Sequence, residues 1–255
     1  MRILTLLAGL LLSLAATAAH ARDTGFLDRQ LTVAGVAHRY QVYVPRDAKR
    51  GERLPVILAL HGAGERGSDG LLQTDVGLGH AVRQHPERWR AIIVFPQAPA
   101  DRLWQNSTAI ALAALDATER EFRTDRARTY LAGLSMGGNG TWKIAYENPG
   151  RFAALVVICG FVQPIAIRDY QPIVPANAGD PYAAVARRIA KLPVWIVHGD
   201  RDDVVPVADS RAMAAALTAA GARVTYRELK GVNHNAWDPG FGDPALPAWL
   251  FAQRR

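Results

Sequence analysis

From Leu27 onward, strand-like stretches alternate with longer stretches of helical period. Gln30–Val36 and Arg39–Val44 read as the arms of a β-hairpin turned near Ala37-His38, with Tyr40, Val42 and Val44 on one face. Pro55–Leu60 is continuously apolar, as expected of a strand buried on both faces. Ala91–Phe95, Thr129–Leu134, Ala153–Cys159 and Pro193–His198 repeat that signature, and Val224–Leu229 completes the set of strands. Between them, Thr108–Phe122 places Ile110, Leu112, Leu115 and Phe122 on or near one helical stripe. Gly138–Glu147, Tyr182–Ala190, Val207–Ala220 and Pro244–Phe251 also read as helices. Strands alternating with helices of this length predict a mostly parallel sheet, covered by helices on both faces and opened by an antiparallel hairpin.

Two stretches break the pattern. Residues 160–181 carry Pro164, Pro172, Pro175 and Pro181 with little periodicity, and read either as a long active-site loop or as a surface excursion. At the start, Arg2 precedes an apolar run from Ile3 to Ala16, and Ala19-His20-Ala21 places small residues where a signal peptidase cleaves. The run is shorter than the about 20 residues a spanning helix needs. Residues 1–21 are therefore expected to be a signal peptide, leaving 22–255 as one α/β domain, exported to the periplasm or beyond and without a lasting membrane anchor.

Composition changes this picture little. The chain has 255 residues, 49% of them hydrophobic and 21% charged, which is globular. Its net charge is +7, but the basic residues are scattered apart from pairs such as Arg187-Arg188, which argues against nucleic acid as a partner. The single cysteine, Cys159, has no intramolecular disulfide partner and reads as a buried strand residue without polar neighbours.

The sharpest chemical signal is Gly133-Leu134-Ser135-Met136-Gly137, a G-x-S-x-G pentapeptide between a strand-like and a helix-like segment. That is the setting of a nucleophile elbow, a strained turn that exposes a serine hydroxyl at a helix N-terminus. A serine needs a base to take its proton and a third group to orient the base. Of the two downstream histidines, His198 ends an apolar strand and reads as structural. His234 lies in a polar loop between the last predicted strand and the last helix, where the base belongs. For the acid, the loop 199–206 offers three aspartates, with Asp202 favoured and Asp203 the alternative. Oxyanion stabilisation calls for two backbone amides. The expected donors are Met136, after the nucleophile, and Ala63, in the glycine-rich loop His61–Gly67; His61 itself reads as a structural hydrogen-bonding group.

These residues resemble the α/β-hydrolase superfamily over nearly all of residues 22–255. His61-Gly62-Ala63-Gly64-Glu65-Arg66-Gly67, with Ser135-Met136-Gly137-Gly138 and Gly140-Thr141-Trp142, is similar to a bacterial group of exported carboxylesterases. The group comprises feruloyl and acetylxylan esterases and polyhydroxybutyrate-depolymerase-like proteins, often called predicted peptidases. The resemblance implies Asp202 as the acid, within His198–Pro206, and His234 followed by the aromatic Trp237. It also implies Trp104 as an aromatic near the substrate cleft, although core packing accounts for it equally well. The implied activity is hydrolysis of small-molecule or polymer-linked carboxylic esters through an acyl-serine, with no cofactor and no metal. A serine peptidase acting on short peptides is the alternative. A non-catalytic binding protein on the same fold would be expected to lack a triad member, and none is lacking.

Overall fold

A computed structural model of the chain describes residues 23–49, 51–167 and 169–255. The predicted signal peptide, residues 1–21, lies outside the described residues. The elements alternate in chain order. β1 (Gly25–Val33) and β2 (Val36–Val44) are followed by β3 (Val56–Leu60), α1 (Leu78–Gln84), β4 (Ile92–Pro96), α2 (Thr108–Phe122) and β5 (Thr129–Leu134). Then come α3 (Met136–Glu147), β6 (Ala154–Ile158), α4 (Pro181–Ile189), β7 (Val194–Gly199), α5 (Val207–Ala219), β8 (Val224–Leu229), α6 (Trp237–Gly242) and α7 (Ala245–Phe251).

The strands form one sheet in the order β1-β2-β4-β3-β5-β6-β7-β8. β1 pairs antiparallel with β2, and β2 with β4; the other pairings are parallel. The expected mostly parallel sheet with an antiparallel start is therefore present. The hairpin turns at Ala34-Gly35, not near Ala37-His38, and its first strand begins at Gly25. Both turn residues have positive φ, 49° and 81°, the two-residue geometry that matches strand twist. This turn pairs Val33 with Val36, and that register sets the rest of the ladder.

The continuous apolar runs are explained by burial on both faces. In β3, Val56, Leu58 and Leu60 pack into one core layer with residues of α2, α3, α4 and α5. Ile57 and Ala59 face the opposite layer, which contains residues of α1, α6 and α7. β4 alternates likewise, Ile92 and Val94 against Ile93 and Phe95. The short helices α1 and α6 carried no clear periodic signal. Each is held by a few buried residues, Leu78, Ala81 and Val82 in α1 and Phe241 in α6. No helix among the described residues is long and apolar enough to cross a membrane.

Parallel strands bring the loops that follow β3, β5, β6, β7 and β8 to one edge of the sheet. All the residues singled out for chemistry by sequence, Trp104 aside, lie in or beside those loops, with β5 at the centre.

Candidate active site

Ser135 occupies the one-residue turn between β5 and α3, with φ 50° and ψ −117°. That is a strained conformation for a residue with a side chain, and such strain persists only where neighbours enforce it. Here the Ser135 N–H donates to Ile158 O at 2.9 Å, tying the turn to β6. The flanking glycines are required by close packing. A Cβ on Gly133 would lie 2.1 Å from Gly137 O, and one on Gly137 would lie 2.1 Å from Leu60 O.

Three loops converge on this serine. His234 Nε2 is 2.9 Å from Ser135 Oγ, and His234 Nδ1 is 2.7 Å from Asp202 Oδ2. Asp203 is exposed and Asp200 accepts the Gly231 N–H at 2.6 Å, so of the three loop aspartates it is Asp202 that meets the histidine. The Asp202 side chain is wholly buried. Burial opposes its ionisation. The opposing hydrogen bonds from His198, His234 and the amides of Val205 and Val204 outweigh that cost and hold the carboxyl well below the usual carboxylate range. Trp237, the first residue of α6, stands edge-on to the His234 ring at 5.3 Å. A tryptophan so placed limits the swing of the imidazole.

The serine opens into a cleft of about 290 Å³. One wall is the loop Gly62–Glu65 and the other includes Ile165, Ile167, Tyr170, Val204 and Trp237. Residues 160–181 thus take the first of their two readings, a loop at the site, and Ile167 is 58% exposed there. Sequence gave no periodic signal for these lining residues. Across the cleft, burial pushes the Glu65 carboxyl above its ordinary value, against the amides of Gly62 and of Glu65 itself. Ala63 lies on the cleft wall, and Met136 is the first residue of α3, whose amide has no intrahelical acceptor.

Two expectations are corrected. Trp104 is fully buried and does not line the cleft. Its indole N–H donates to His61 O at 2.9 Å and its Cβ fills the space that keeps residue 140 a glycine. It therefore supports the His61–Gly67 loop from beneath. Cys159 is buried, as expected, but it is not remote from polar groups. Its Sγ, a carboxylate oxygen of Asp202 and a ring nitrogen of His234 lie within 4.8 Å of one another. Burial and the nearby Asp202 charge raise the thiol well above its ordinary pKa, so it sits behind the site as a neutral thiol.

His61 behaves as the sequence suggested. Its Nε2 accepts the Ala98 N–H at 3.0 Å, which leaves the hydrogen on Nδ1 to be donated to Gly62 O at 2.6 Å. Burial drives its pKa down to about 4. A neutral His61 thereby pins the start of the loop that carries Ala63.

Comparison with known proteins follows this geometry. A family model described as "Putative esterase" matches residues 34–240. Over 212 residues the chain is 26% identical to an "Uncharacterized secreted protein" of Arthroderma benhamiae, covering 72% of this chain and 22% of that protein. The structure superposes on a thermostable esterase with a TM-score of 0.74 and 30% identity, over 90% of this chain and 63% of that one. A feruloyl esterase module from Clostridium thermocellum complexed with sinapinate gives a TM-score of 0.67 at 17% identity, over 89% and 87% of the two chains. The chain spans less than two thirds of the length of the first two proteins. The shared fold is that of the α/β-hydrolases.

Proposed function

Since the chain belongs to the family described as "Putative esterase", we propose that it hydrolyses carboxylic esters through an acyl-Ser135 intermediate. The observation that carries this reading is the unbroken line from Ser135 Oγ to His234 Nε2 at 2.9 Å and from His234 Nδ1 to Asp202 Oδ2 at 2.7 Å. His234 takes the Ser135 proton as the hydroxyl oxygen attacks the ester carbonyl, and Asp202 holds the ring in the tautomer with Nδ1–H. The tetrahedral oxyanion is met by the backbone amides of Met136 and Ala63. His234 then gives the proton to the leaving alkoxide, and a water activated by the same imidazole releases the acid. No metal or organic cofactor has a role in these steps.

The apolar wall of Ile165, Ile167, Tyr170, Val204 and Trp237 suits an acyl or alcohol group with apolar surface, on a small molecule or at the end of a polymer. Export through the 1–21 leader, with 22–255 as the mature hydrolase, completes the reading. The relative described as secreted supports it.

The test is hydrolysis of 4-nitrophenyl esters from acetate to decanoate, plus a feruloyl ester, by wild type and Ser135→Ala. Turnover that varies with acyl length and disappears in the mutant is the expected result. No turnover by a folded wild type would remove the esterase reading and favour short-peptide cleavage or binding without catalysis.

A further inference from the structure

One buried histidine takes no part in the proton relay yet touches its acid. His198, near the end of β7, has a wholly buried side chain. Its Nε2 is 3.0 Å from Asp202 Oδ2 and 3.0 Å from Val205 O. A carboxylate and a carbonyl both accept, so this nitrogen carries the hydrogen and donates to the two. The other nitrogen, Nδ1, is hydrogen-bonded to Ser210 Oγ in α5 at 2.7 Å. These contacts fix the orientation of the ring.

The consequence falls on Asp202. Its Oδ1 accepts the amides of Val204 and Val205 at 2.9 and 2.8 Å, and its Oδ2 accepts His198 and His234 at 3.0 and 2.7 Å. A carboxylate offers about four lone-pair sites, and here four donors fill them. The two amides come from its own turn, which fixes the plane of the carboxyl only locally. His198 reaches it from β7 and shares the same oxygen with His234.

Resting on the ester-hydrolase reading, we propose that His198 is a positioning residue: oriented by Ser210, its Nε2–H anchors Asp202 Oδ2 so that the carboxylate stays aimed at His234. It touches neither substrate nor the reacting atoms. A role confined to packing would be met by any side chain of similar volume. A positioning role requires the donor.

The experiment compares kcat and KM for a 4-nitrophenyl ester among wild type, His198→Leu, His198→Gln, Ser210→Ala and Ser135→Ala, with thermal melts for each. His198→Leu keeps apolar bulk but loses the donor, and its kcat should fall about 10- to 100-fold at unchanged KM, the worth of one hydrogen bond to a buried charge. His198→Gln restores an N–H near the Nε2 position and should return to within about 5-fold of wild type. Ser210→Ala frees the ring of its second anchor and should slow kcat by about 3- to 10-fold. Wild-type kcat in His198→Leu, or equal losses in the Leu and Gln variants, would overturn the proposal while leaving Ser135 untouched. If His198→Leu fails to fold, the other two decide: Ser210→Ala at the wild-type rate overturns it, and a slower Ser210→Ala with an active His198→Gln upholds it. Full activity in Ser135→Ala, or none in wild type, would remove the parent reading and this inference together.

Discussion

The Asp209 carboxylate accepts the Val162 N–H at 2.8 Å, joining the first turn of α5 to a residue 47 positions earlier in the chain. The same carboxylate accepts the Gln163 N–H at 3.3 Å and the Tyr182 hydroxyl at 2.9 Å. Asp209 thus clamps the start of the segment that presents Ile165, Ile167 and Tyr170 to the cleft, and its neighbour Ser210 orients His198.

Asp209→Ala should therefore loosen that wall. Leaving buried donors unpaired is expected to cost about 2 kcal/mol of stability. KM for apolar esters should rise more than kcat falls, because Asp202 and His234 stay in place. Steady-state kinetics with urea unfolding checks this, and an unchanged KM would show that the wall does not depend on the clamp.

The elbow glycines separate steric from incidental positions. Gly133→Ala places a Cβ 2.1 Å from Gly137 O, backbone against backbone, so the turn must shift. Overpacking of this kind is expected to cost about 3 kcal/mol and to abolish turnover. At Gly64 a Cβ would meet nothing within 4 Å, and Gly64→Ala should stay within about 0.5 kcal/mol of wild type. Equal losses at the two positions, measured by chemical denaturation, would contradict this packing.

His61 makes stability depend on pH. Its folded pKa of about 4 lies below the ordinary 6.5 because burial disfavours the charged ring. The unfolded chain then binds more protons than the folded one. The contribution is fully present above about pH 6.5 and is lost as pH falls towards 4, by about 3 kcal/mol in total. Urea unfolding of wild type and His61→Gln at intervals from pH 7.5 to 4 measures the difference. The wild type should lose more stability over that window, and parallel curves would show that His61 is not buried neutral.

The two tryptophans should behave differently. Trp104→Phe removes the donor to the buried His61 carbonyl, and should lower stability by about 1 to 2 kcal/mol with little change in KM. Trp237→Ala opens the cleft beside His234, and should alter both KM and the acyl-length preference. The reverse pattern would place the substrate against Trp104.

Much of this was legible along the chain. Continuous apolar runs identified the central strands, since each face of the sheet meets its own core, and helical stripes identified the longer helices. The elbow was legible because its glycines, serine and flanking elements are contiguous. The hairpin turn was misplaced because the signal at Ala34-Gly35 is a backbone conformation, and Ala34 with positive φ is not foreseen from its residue type.

By itself, the sequence determined the alternation of elements, the location of the strained serine and the loops in which its partners had to lie. These depend on neighbours in the chain. The sequence favoured Asp202 over Asp203 without bringing either to His234; that contact, the placing of Cys159 beside the acid, the burial of Trp104 and the use of residues 160–181 as a wall were decided by the tertiary structure. Ser135 and His234 are 99 residues apart, and His234 and Asp202 are 32 apart. Distances across such separations follow from strand order and packing, which no local pattern encodes.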